Sequence, residues 1–93
     1  MSIKIRIDPF LQEFTGSKEI VEATGQTVGE CLDNLESQFP GIKKQLGKWE
    51  GAEFKLLPDI MICVNSDSLC QDELARPVKN GDELTLGVVV FGG

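Results

Sequence analysis

The chain has 93 residues, a net charge of −6 and 41% hydrophobic residues, so it can form one domain around a single core but not two. Its acidic balance disfavours binding to the polyanionic backbone of nucleic acid. The apolar runs at residues 60–64 and 88–91 are too short to cross a membrane, and the start of the chain lacks the features of a signal peptide, so we expect a cytoplasmic protein.

Two strands are predicted at the start of the chain. Isoleucines alternate with polar residues across 3–7, which is typical of a strand with one buried face. Asp8-Pro9 ends this strand, residues 10–17 are predicted to form an irregular connection, and a second strand at about 18–23 is expected to pair antiparallel with the first. The apolar side chains of the connection are expected to turn inward: Phe10, Leu11 and Phe14.

One helix has the clearest local signal. Thr27 and Glu30 have the spacing of a capping box, in which the hydroxyl and the carboxylate each accept a hydrogen bond from a free N–H at the helix start. Pro40-Gly41 ends the helix, and residues 42–58 predict a surface excursion with one short helical turn. The apolar residues of the helix follow a single face: Val28, Cys31, Leu32, Leu35 and Phe39.

The remaining elements complete a mixed sheet. Residues 60–64 are apolar on both faces, which indicates a strand within a helix-covered sheet, although its outer face is also suited to docking. A short edge strand is predicted near Leu69, and Lys79-Asn80-Gly81-Asp82 predicts a turn before a final strand at 83–90. This order predicts an α+β protein with the β-grasp plan of ubiquitin, roughly four or five strands with one main helix on one face.

The three cysteines and the single tryptophan give no catalytic or metal site. Cys31 and Cys63 are predicted to be small buried hydrophobic residues, and Cys70 has no neighbouring group that would activate its thiol. With no histidine and no paired cysteine spacing, we expect no metal and no cofactor bound by the chain itself. Trp49 is consistent either with a partner surface or with an edge of the core.

Four stretches of the sequence resemble one known family. They are "TVGECLDNLESQFPGIKKQL", "ICVNSDS", "VKNGDELTL" and the terminal Gly92-Gly93. Together they are similar, in the same order, to the ubiquitin-like sulfur carriers that include the small subunit of molybdopterin synthase, MoaD, and the thiamine sulfur carrier, ThiS. The resemblance is strongest to the MoaD-like members. It implies one β-grasp domain over residues 1–90 and a flexible tail over 91–93.

The resemblance also implies how the tail acts. The Gly93 carboxylate would be adenylylated by a ubiquitin-activating-type partner of the MoeB or ThiF kind, which uses ATP and magnesium, and then converted to a thiocarboxylate. Gly92 and Gly93 lack a Cβ and can therefore enter a narrow channel, while Phe91 is expected to contact a partner. The chain itself would be a carrier and not an enzyme. A sulfur-accepting synthase of the MoaE kind would be the second partner, with no role for nucleic acid or membrane.

The sequence is compatible with several functions. Molybdopterin or tungstopterin synthesis is the first expectation for the acceptor pathway, and thiamine, cysteine and tRNA thiolation are alternatives. A protein modifier that is conjugated to lysines through Gly93 would need the same fold, tail and activation step. A binding module with an inert tail is the third possibility.

Overall fold

The computed structural model describes residues 2–65, 67–68 and 73–88. The predictions for Leu69, for Cys70, for the last two residues of the strand at 83–90 and for the tail residues Phe91, Gly92 and Gly93 lie outside the described residues. Two short 3₁₀ helices, Pro9–Phe14 and Glu73–Ala75, accompany the main elements. These elements are β1 (Ile3–Ile7), β2 (Ile20–Ala23), α1 (Val28–Gln38), α2 (Ile42–Leu46), β3 (Gly47–Glu50), β4 (Glu53–Leu56), β5 (Ile60–Val64), β6 (Asp67–Ser68) and β7 (Glu83–Val88).

The main sheet has five strands in the order β2-β1-β7-β5-β6. The last strand in sequence, β7, lies at its centre, parallel to β1 and antiparallel to β5. The hairpin of β1 and β2 is antiparallel, as the sequence predicts. This mixed sheet, with α1 on one face, confirms the predicted β-grasp class.

The core lies between α1 and the inner face of the sheet. Alternate residues of β1, β5 and β7 are buried, and so are the apolar residues of α1 from Val28 to Leu35. The predicted start of α1 is confirmed, because the Thr27 hydroxyl accepts a 3.1 Å hydrogen bond from the Glu30 N–H. The Glu30 carboxylate reaches one residue further back than expected, to the Gln26 N–H at 3.0 Å. Each fully buried aliphatic side chain contributes about 1.5–3 kcal/mol relative to exposure.

The connection after β1 corrects one prediction. Leu11 is buried and Phe14 is half-buried, but Phe10 is 69% exposed. The segment forms a 3₁₀ helix, whose side chains repeat every three residues. Leu11 and Phe14 therefore lie on one side of it, and Phe10 points away from the core.

The excursion at 42–58 contains more structure than the sequence predicts. The expected helical turn is α2, whose Ile42 and Leu46 are both buried. It is followed by β3 and β4, which pair as a separate two-stranded sheet. Gly47 permits this pairing, since a Cβ there would lie 2.1 Å from the carbonyl oxygen of Lys55. None of the helices in the described ranges has the length and apolar character needed to span a bilayer.

Candidate functional site

The described part of the candidate site is the end of β7, five residues before Gly93. Val88 lies opposite Ile60 of β5, and Leu86 lies opposite Ile7 of β1. Leu86 is fully buried, so the strand that leads to the tail is held on both sides by backbone pairing and underneath by the core. We call Gly87 and Val88 the tail root.

Asp8 binds the tail root from the end of β1. Its Oδ2 accepts a 3.4 Å hydrogen bond from the Val88 N–H, while its Oδ1 accepts a 2.9 Å bond from the Phe10 N–H. The Asp8 N–H donates to the Leu86 carbonyl at 3.1 Å. The side chain thus continues the β1–β7 pairing for one more residue. From the sequence we assigned Asp8 only the end of a strand, because no local pattern links residues 80 positions apart.

The sheet face opposite α1, here called the outer face, has exposed apolar residues, one of which lies beside the tail root. Met61 lies opposite Gly87 and is 38% exposed, and Ile20 on β2 is 45% exposed. Phe10 is also exposed, in the 3₁₀ helix that follows β1. Exposed apolar side chains on one face of a sheet are suited to contact a partner. The docking alternative for the outer side of residues 60–64 is therefore consistent with the exposure of Met61.

The charged groups around the sheet have structural bonds. Asp82 accepts a 2.9 Å bond from the Lys79 N–H and a 3.3 Å bond from the Asn65 amide, and these two donors hold the pKa of Asp82 below its ordinary value. Glu83 pairs with Arg6 at 2.8 Å. The adjacent carboxylates of Asp82 and Glu83 therefore have separate partners and do not form an acid and base pair.

The two cysteines in the described ranges differ in burial. Cys31 is buried, and its burial, with a smaller effect of the Glu30 charge, raises the pKa of its thiol. A raised pKa disfavours the nucleophilic thiolate. Cys63 is half-buried on the outer face, because it alternates with the buried Ile62 and Val64. The prediction that Cys63 is a small buried residue is therefore wrong.

Trp49 lies on the second sheet and not at the tail root. It is 61% exposed and packs edge-on against Phe54, with ring centroids 5.5 Å apart. The Lys43 ammonium lies 4.9 Å from the Trp49 ring centroid and 4.4 Å from that of Phe54, and it also pairs with Asp33. Trp49 thus covers a cation and a neighbouring ring and does not fill the core.

The fold defines a ubiquitin-like β-grasp protein whose central strand leads to a diglycine. A model of the ThiS family matches residues 9–93, which include both glycines. The chain therefore belongs to the ThiS family, in the group of ubiquitin-like sulfur-carrier proteins that the sequence resembles.

Individual relatives agree with this assignment. The sulfur carrier protein CysO of Mycobacterium tuberculosis is 30% identical over 94 residues, covering 100% of both chains. A chain in the crystal structure of the Amycolatopsis orientalis BexX/CysO complex is 38% identical, with a TM-score of 0.86 and coverage of 98% of this chain and 99% of that chain. The small archaeal modifier protein SAMP1 of Haloferax volcanii is 27% identical, with a TM-score of 0.79 and 100% of both chains covered. The prediction that this chain is a carrier and not an enzyme is confirmed by these similarities.

Proposed function

We propose that this protein carries sulfur as a thiocarboxylate on Gly93. The observation that supports this most strongly is the family match, which extends through residue 93 and so includes the predicted reactive end. Full coverage in both directions by a relative named a sulfur carrier supports the same proposal.

The proposed chemistry begins with an unreactive carboxylate. An oxygen of the Gly93 carboxylate attacks the α-phosphate of ATP on a partner enzyme, and pyrophosphate leaves. A sulfur nucleophile then attacks the resulting acyl-adenylate at its carbonyl carbon, and AMP leaves. With hydrosulfide as the nucleophile, the product is directly a thiocarboxylate, which is ionised at neutral pH and nucleophilic without a neighbouring base. ATP and magnesium belong to the partner enzyme in this scheme.

In this proposal the folded body presents and orients the tail. The buried Leu84 and Leu86 anchor β7, and Asp8 accepts a hydrogen bond from the Val88 N–H, so the position of the tail root is defined. The apolar part of the outer face, with Met61 and Ile20, would contact the activating enzyme, and Phe91 would extend that contact. Gly92 and Gly93 would enter the catalytic channel without a side chain to obstruct them.

For the acceptor pathway we propose cysteine formation ahead of molybdopterin or tungstopterin synthesis. The relatives that match over the whole chain include CysO-type carriers, and this similarity favours a cysteine pathway. The sulfur acceptor would then be a partner enzyme of that pathway in place of a MoaE-like synthase.

Intact-mass measurement of the protein purified from its own host tests the proposal. We expect a species in which one terminal oxygen is replaced by sulfur, and the mass gain should map to the peptide that ends at Gly93. A chain that lacks Gly92-Gly93 should remain folded but show no such gain. A full-length chain that stays a plain carboxylate while its host makes the sulfur-containing product would contradict the carrier function.

A protein modifier is the second candidate function, and the similarity to SAMP1 favours it specifically. The same adenylate at Gly93 would be attacked by a lysine amine, which gives an isopeptide bond. Covalent adducts that survive reducing agent would support this function, provided that digestion leaves a Gly-Gly remnant attached to lysine. Their absence in a host that contains the thiocarboxylate would reject it.

A further inference from the structure

The β3–β4 hairpin has an ordered pattern of charge on the side that faces away from Trp49 and Phe54. Its two strands pair in register, with Lys48 opposite Lys55 and Glu50 opposite Glu53. All four residues are exposed. We call these four residues the hairpin charge face.

Each cross-strand pair on this face joins two like charges. Like charges directly opposite each other destabilise an antiparallel pair, because their β-carbons are about 5 Å apart. Among the described residues, one ion pair along β4 offsets part of this repulsion, between Lys55 Nζ and Glu53 Oε2 at 3.6 Å. The face therefore consists of a positive row and a negative row, which are separated by two residues or about 7 Å. Within one chain, this ion pair joins the two rows only along β4.

We propose that the hairpin charge face binds the same face of a second copy of this chain. A two-fold axis that lies in the contact plane, parallel to the rows and midway between them, places each positive row over the negative row of the other copy. Lys48 then faces the partner's Glu50, and Lys55 faces the partner's Glu53. The same contacts occur in reverse, as an isologous interface requires.

The charges themselves select a second copy as the occupant. A partner of one charge sign would be attracted by one row and repelled by the other, whereas a face with two opposite rows at the same spacing matches both. The other side of the hairpin does not have these two rows of charge, because Trp49 and Phe54 lie there in contact with Lys43. Four charged residues form a small interface, so the association is weak and transient. It does not depend on the sulfur chemistry of the tail.

Reciprocal charge reversal tests this interface. The variant K48E/K55E makes the whole face negative, and E50K/E53K makes it positive. In sedimentation velocity at about 0.2 mM protein, a concentration suited to weak interfaces, each variant alone should associate at least about tenfold more weakly than the natural chain. An equimolar mixture of the two should restore association to at least the natural level.

A matched mixture controls for net charge. K48E/K55E carries −6 − 4 = −10 and E50K/E53K carries −6 + 4 = −2, so the mixture also changes the overall repulsion between chains. K4E/K79E and E13K/E22K carry the same two net charges from exposed positions outside the hairpin. Each of these control variants should associate through the intact hairpin. Mixing them should strengthen association only by the amount that the change in net charge explains.

Two further measurements keep the proposal falsifiable if a variant misfolds. Raising salt from about 0.1 M to about 1 M shortens the screening length from about 10 Å to about 3 Å, which should abolish association of the natural chain. On dilution, amide chemical shifts should move at residues 48–55 and not on the outer face. An equal gain on mixing for the two pairs of variants, salt-independent association, or shifts confined to the outer face would each overturn the proposal.

Discussion

The main sheet and the β3–β4 hairpin differ in how much of each strand is buried. In β1 and β7 every second residue or more is buried against α1, whereas in the hairpin burial is limited to Gly47 and Leu56 at the end next to α2. The main sheet is therefore stabilised chiefly by apolar burial, and the hairpin by backbone pairing and a few ring contacts. The strand that precedes residues 89–93 therefore belongs to the more deeply buried of the two regions.

The largest expected effect comes from a substitution in the core of the main sheet. Leu86→Ala removes a fully buried side chain from β7 and should lower the free energy of unfolding by about 2–5 kcal/mol, because it leaves a cavity in the core. Urea unfolding measures this loss. Met61→Ala, on the exposed side of the neighbouring strand, is the matched control and should cost less than about 1 kcal/mol. Equal costs would show that the two faces of the sheet do not differ as described.

The second effect is confined to the hairpin. Gly47→Ala places a Cβ 2.1 Å from the Lys55 carbonyl oxygen, which is backbone and cannot rotate away, so β3 and β4 should separate at a cost of about 1–3 kcal/mol. Hydrogen exchange should speed up at residues 48–56 and remain slow in β1 and β7. Gly87→Ala is the control, since its Cβ would meet the Met61 methyl group at an ordinary 3.6 Å. Loss of protection throughout the main sheet would contradict the independence of the two regions.

The smallest effect depends on pH and concerns the contact between α1, which packs on the main sheet, and α2, which leads into the hairpin. The Gly41 and Lys43 N–H groups donate to the Glu36 carboxylate at 2.8 and 2.9 Å, and these bonds hold the pKa of Glu36 below its ordinary value. Because the folded pKa is lower than the unfolded one, the stabilisation is fully present above the unfolded pKa of about 4.3. It is lost as the pH falls through the folded pKa.

Glu36→Gln should remove this pH dependence. We expect a loss of about 1 kcal/mol near neutral pH, because a neutral acceptor replaces a charged one, and a shrinking difference from the natural chain as the pH falls below the ordinary glutamate range. Unfolding curves across the acid range measure it. Glu13→Gln, at an exposed position, is the control and should follow the natural chain. A constant difference at all pH values would show that the Glu36 charge has no part in this contact.

The sequence was most informative where one element's pattern is sufficient. Alternating isoleucines predicted β1, and the capping pair with its apolar stripe predicted α1, because strand and helix periods are local properties of the chain. The prediction for Phe10 was wrong because burial in a 3₁₀ helix follows a period of three, which the sequence alone did not reveal. The sequence did not predict the β3–β4 hairpin. The reason for a glycine at position 47 is the close approach of the Lys55 carbonyl oxygen, which only the folded structure shows.

The sequence by itself determined the β-grasp class, the family and the diglycine at residues 92–93, since these rest on local periodicity and on motifs in a fixed order. The tertiary structure alone decided that β7 lies between β1 and β5, that Asp8 binds Val88, and that like charges lie opposite each other on the hairpin. Each of these depends on pairing between strands, and in the first two the paired residues are far apart in the chain. Such register is set by the packing of the whole core and not by any one segment.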